Sequence, residues 1–111
     1  MLSEKMTKTV RIVTDAVKDS EEYKEFEKQK KSVRSSAESR RMIERARDIQ
    51  NRLMDLPEDE RGNDYAESLQ DEYEDIMENS AVYEYSKAES AFVTMLQEAL
   101  GMIIESVDLD I

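Results

Sequence analysis

Residues 80–107, SAVYEYSKAESAFVTMLQEALGMIIESV, constrain this chain more than any other feature. Tyr85, Ala88, Phe92, Met95, Ala99 and Met102 recur at steps of three and four, the spacing of one helix face. Leu96, Leu100, Ile103 and Val107 form a second apolar stripe beside it. A helix with two adjoining stripes must meet neighbours on two sides. A helix of this length spans about 42 Å, whereas a compact domain of similar size is roughly 34 Å across. The segment therefore predicts an all-α fold, an elongated helical hairpin or bundle of four to five helices with a long, central last helix. One chain would leave apolar faces of such a fold wet, which predicts self-association, most simply as a symmetric homodimer. Tyr85, Ala88, Phe92, Met95, Leu96, Ala99, Met102 and Ile103 are the expected core and dimer seam. Gly101 costs the helix about 1 kcal/mol relative to Ala and offers a point of close approach.

The rest of the sequence reads as shorter helices. Leu2, Met6, Val10, Val13 and Val17 make one stripe, with Ser3 as its cap. Asp19 or Ser20 caps a second helix with Glu21 and Glu22 at the positive end of its dipole. Its stripe, Tyr23, Phe26, Val33 and Ala37, is interrupted by Lys30 and predicts a peripheral position. SSAE reads as a capping box, Ser35 with Glu38, opening a third helix to about Asp55. Met42, Ala46, Ile49, Leu53 and Leu56 give that helix an a/d seam. The pattern leaves open whether the second and third helices are separate. LPEDERGND is the clearest connection, because Pro57 disfavours helix at Leu56 and Gly62 marks a turn. A fourth helix, from about Asp64 to Glu78, turns Ala66, Leu69, Tyr73 and Ile76 inward. Asn79 or Ser80 caps the last helix.

Composition narrows the chemistry. The chain has 111 residues and is read as one domain, 1–111. It contains no cysteine and no histidine, which removes disulfides, thiol nucleophiles, imidazole bases and the usual zinc ligands. No cofactor or metal is expected. Placing Gly62 at the sixth position of a calcium loop puts Pro57 and Ser68 where Asp and Glu are required. No uninterrupted apolar run reaches the roughly 18 residues of a membrane span. MLSEKMTKTVRIV lacks the continuous apolar core of a signal peptide, so a cytoplasmic protein without membrane contact is expected.

Charge is divided along the chain. Residues 1–54 carry 14 Lys/Arg and 10 Asp/Glu, a net +4, and residues 55–111 carry 2 and 17, a net −15. Glu38, Glu44 and Asp48 interrupt the basic runs KQKKSVR and RRMIERAR, and no aromatic residue falls between Phe26 and Tyr65. Local ion pairing is the expected role there, not direct nucleic-acid binding. The acidic side of the fourth helix, with Asp71, Glu72, Asp75 and Glu78, is the expected partner surface. Nothing in these patterns assembles a nucleophile and base, so no enzyme is expected.

Two stretches carry a family resemblance. Asn79, Val82, Tyr85, Ala88 and Glu89 form N-x-x-V-x-x-Y-x-x-A-E at the start of the last helix, and SEEY (20–23) follows the first. In this order the chain resembles the YlbF/YmcA family of small helical bacterial proteins, in its cysteine-free, YheA-like branch. It departs from many members in having Ser80 where they have proline, a favoured but dispensable first-turn residue. The resemblance implies a cytoplasmic, oligomeric regulator of competence, biofilm formation and sporulation. It also implies a PSP1-domain protein or family paralogues as partners, in a complex associated with RNase Y. The iron–sulfur clusters of some members do not carry over by cysteine ligation. The reading that follows is a non-enzymatic adaptor acting through helix–helix contacts. The alternative is a WXG-type helical secretion substrate or chaperone, which would require a Trp-x-Gly turn that LPEDERGND lacks.

Overall fold

In the computed structural model, which describes residues 1–107, five α-helices follow one another with no strand among the described residues. They are α1 (Glu4–Lys18), α2 (Glu21–Arg34), α3 (Ala37–Asp55), α4 (Asp64–Met77) and α5 (Ser80–Val107). A single 3-10 turn, Glu58–Glu60, sits between α3 and α4.

The helix starts follow side-chain chemistry. Ser3 Oγ accepts the Met6 amide, Ser20 Oγ that of Tyr23, Asn63 Oδ1 that of Ala66, and Asn79 Oδ1 that of Val82. Each satisfies an amide that the first helical turn leaves without a backbone acceptor. The cap of α3 is Ser36, whose Oγ accepts the Ser39 amide, and not Ser35. Ser35 instead donates to the Ser32 carbonyl and belongs to the end of α2. This one-residue shift separates α2 from α3 and moves Ala37 out of the α2 stripe to the start of α3, where it is exposed. The extended backbone of Ser36, at φ −124° and ψ 115°, makes the break without glycine or proline.

The described residues gather into two units, and α2 and α5 each contribute to both. One unit, residues 29–86, holds a packed core of Val33, Ile43, Ala46, Ile49, Ala66, Leu69, Val82 and Tyr85. Ile49 and Val82 are completely buried. Helix α3 packs on α4. Arg52 bonds Tyr65 while Arg45 bonds Glu72, so partners advance in opposite directions and the two helices form an antiparallel hairpin. Two expected members of the α3 seam, Met42 and Leu53, are half-buried, whereas Ile43 and Ser39 are buried. The inward face of α3 is therefore rotated by about one position from the expected seam.

The other unit, residues 1–28 and 87–107 of those described, is organised differently. Within it, Phe92 stacks on Phe26 at 5.3 Å between ring centroids and meets Tyr23 at 5.7 Å in a tilted arrangement. Ala88 is its one buried apolar residue. No residue of α1 is buried.

Candidate interaction surface

The apolar stripes of α5 have different surroundings. At 100° per residue, Phe92, Met95 and Ala99 lie on one side of the helix, and all three are half-buried. Leu96, Ile103, Val107 and Leu100 lie on the adjoining side, extended by Val93 and Ile104, and all six are exposed. Ile103 and Leu100 are 54% and 57% exposed. Met102, at the far end of the first stripe, is also exposed. Together the apolar positions occupy more than half the circumference of this part of α5. The remaining arc carries Thr94, Gln97, Glu98, Gly101 and Glu105.

Of the expected seam, then, Tyr85 and Ala88 are intramolecular core, Phe92, Met95 and Ala99 are partly covered, and Leu96, Met102 and Ile103 face outward. The sequence pattern did not mark Val93 and Ile104 as members of this surface. Their signal was present in the unbroken polarity of the opposite arc. Gly101 lies on that polar arc, and a Cβ there would meet no atom within 4 Å. The close approach expected at Gly101 does not occur among the described residues.

Helix α1 is a second uncovered face. Of the stripe the sequence indicates, Leu2, Met6, Val10 and Val13 are exposed, as is the neighbouring Ile12, and Val17 is half-buried. The polar positions of α1 carry Lys5, Lys8, Arg11 and Lys18 against Glu4 and Asp15, a net +2. Residues 90–107 of α5 carry Glu98 and Glu105 with no cation, a net −2. Except for Met54, Tyr65 and Tyr83, every large apolar side chain exposed in the described structure belongs to α1, its leader or this half of α5. Single chains rarely leave so much apolar surface in water unless it is a contact surface.

The acidic face of α4 is only partly available. Asp71, Asp75 and Glu78 are exposed. Glu72 is half-buried and engaged: Arg45 Nη2 donates to its Oε1 at 2.9 Å, and Arg45 Nε donates to its Oε2. This bidentate fork holds the Glu72 carboxyl below the usual carboxylate range and raises the Arg45 guanidinium. Asp48 Oδ2 accepts from Arg45 Nη1 at 2.8 Å and from Arg52 Nε at 2.9 Å, and Arg52 Nη1 donates to the Tyr65 hydroxyl at 3.1 Å. A ladder thus runs Glu72–Arg45–Asp48–Arg52–Tyr65 along the hairpin. Glu72, expected on a free partner surface, fastens α4 to α3 instead. The local half of this ladder was readable as i, i+3 and i, i+4 spacing. The link from Arg45 to Glu72 crosses 27 positions and has no local signal. Among the described residues, no three carboxylates come together in a group able to hold a metal.

Capped helices, an ion-paired hairpin and an uncovered amphipathic surface define the described residues as an all-α helical protein. The sequence matches the model of the family described as control of competence regulator ComK, YlbF/YmcA, over residues 7–108. The chain belongs to that family, as the motifs at 20–23 and 79–89 indicate. Neither a curated protein nor a solved structure gives a match. Membership in this regulatory family leaves the WXG-type alternative without support.

Proposed function

We propose that this chain is a non-enzymatic cytoplasmic adaptor whose exposed faces on α1 and α5 are covered by a second copy of itself. The observation that carries this reading is the α5 face from Val93 to Val107, apolar and exposed over some four turns. The opposite net charges of α1 and residues 90–107 support a contact in which α1 of one copy meets α5 of the other. Asp71, Asp75 and Glu78 then remain as an acidic surface for a further protein partner. A PSP1-domain protein or a family paralogue, in an RNase Y-associated complex, is the partner that family resemblance implies.

A membrane reading has one observation in its favour. An 18-residue window of α5 reaches a mean hydropathy of 1.2 with none of it buried. The arrangement of polar residues favours helix packing instead. Thr94, Gln97, Glu98, Gly101 and Glu105 form one arc, the pattern of a helix with one dry side and one wet side. A charged side chain at a bilayer centre costs about 2.5–3.5 kcal/mol by insertion scales.

Affinity capture of the tagged chain from its host, with and without ribonuclease, tests the adaptor reading. Ribonuclease-resistant recovery of a PSP1-domain protein or paralogue supports it. Recovery that disappears with ribonuclease would contradict protein-mediated assembly.

A further inference from the structure

The unit comprising residues 29–86 contains a cleft of about 220 Å³ that the adaptor reading does not use. Its apolar wall is Val33, Ile43 and the ring of Tyr85, each no more than 7% exposed. Lys30, Arg34, Arg40 and Arg47 surround it, against one carboxylate, Glu44. The chain as a whole has a net charge of −11, so four cations about one small concavity stand out from the rest of the surface.

Local structure explains the gathering. Arg34 closes the last turn of α2, and Arg40 stands near the start of α3, on either side of the Ser35–Ser36 break. Neither side chain has an ion-pair partner among the described residues. The contrast is with Arg45 and Arg52 farther along α3, which are engaged by Asp48, Glu72 and Tyr65. Arg47 Nη2 donates to the Tyr85 hydroxyl at 2.9 Å, which holds that guanidinium at the cleft. Guanidinium forks match the oxygens of a phosphate group, and a weakly polar wall behind them strengthens the attraction.

We propose that this cleft binds a small molecule carrying a phosphate group and an apolar end. The phosphate lies between Arg34 and Arg40, and the apolar end rests on Val33, Ile43 and the Tyr85 ring. The volume is below the usual range of about 300–1,000 Å³ for drug-sized ligands, which limits the bound portion to a phosphate and roughly one ring.

The test is titration of the full chain with inorganic phosphate and with phenyl phosphate, followed by amide chemical shifts at constant ionic strength. Both probes should give saturable shifts at Val33, Ile43 and the α2–α3 junction, with phenyl phosphate at least about tenfold tighter. Arg34→Gln with Arg40→Gln should weaken phenyl phosphate about tenfold or more while leaving the far-UV spectrum unchanged. Lys18→Gln, in the other unit, should leave binding unchanged. Linear shifts matched by sodium chloride, or equal binding by the double variant, would overturn the site. Equal affinity for the two probes would overturn the role of the apolar wall.

Discussion

Replacing Ile103 with alanine separates what the chain covers by itself from what a second copy covers. Ile103 is 54% exposed in the single chain. Burying an isoleucine side chain completely is worth about 1.5–3 kcal/mol, so covering the exposed part returns about 1 kcal/mol. A symmetric dimer buries two copies, so Ile103→Ala should weaken association by about 2 kcal/mol. With 1.4 kcal/mol per tenfold, that is about a 30-fold rise in the dissociation constant. The higher helix propensity of alanine acts on monomer and dimer alike and cancels from this ratio. Sedimentation equilibrium over a dilution series, read by tyrosine absorbance, gives the constant for both proteins. A dissociation constant unchanged by the substitution, with all lost stability independent of concentration, would place Ile103 outside any contact between copies.

Other expectations concern the two units separately. Ile49→Ala opens a cavity in the completely buried α3 position and should cost about 2–5 kcal/mol in urea unfolding; a loss under about 1 kcal/mol would show that this core is loose. Phe92→Ala removes the stack with Phe26 and the tilted contact with Tyr23, and should cost about 3 kcal/mol because the ring is only partly buried. Gly101→Ala should stabilise the helix by about 1 kcal/mol without altering association, since the position lies on the polar arc with open space above it; weakened association would place the second copy on the wrong side of α5. The folded-state carboxyl of Glu72 titrates below its unfolded value. The stability it contributes is therefore present above the ordinary carboxylate range and is lost as pH falls through the lowered folded value. Glu72→Gln should flatten that acid limb, and an identical pH profile would show that the Arg45 fork contributes nothing. Asp75→Lys should leave folding intact, whereas Glu72→Lys should weaken the hairpin by setting a second cation against Arg45.

Much of the fold was legible because its determinants are local. The stripes of α1 and α5, the inward face of α4 at Ala66 and Leu69, and the Pro57–Gly62 connection all lie within a few residues of their causes. The cap of α3 was misplaced by one residue because Ser35 and Ser36 compete for the role, and Glu38 pointed to the wrong one. On α3 the steps of Ser39, Ile43, Ala46 and Ile49 are as regular as those of the Met42 seam. Periodicity alone does not choose between two such adjoining faces. The Arg45–Glu72 fork was not legible, and of the cationic cleft only the basic runs KQKKSVR and RRMIERAR were, with ion pairing expected where Arg34 and Arg40 have no such partner among the described residues. Each joins residues from different helices, and their union depends on the chain reversals at Ser35–Ser36 and Leu56–Asn63. Among surface residues, sequence gave the sign of the charge on α4 but could not tell Glu72, which is engaged, from Asp71 and Asp75, which face water.

If a second copy covers the α1 and α5 faces that one chain leaves exposed, the protein in solution is larger than a single chain. The most direct measurement is the mass of the purified protein in solution by light scattering across a wide concentration range. The mass should be at least twice the 12.9 kDa of one chain, falling toward a single chain on dilution or in a variant with Leu100→Asp. A well-folded protein that remains at 12.9 kDa at every concentration would contradict it.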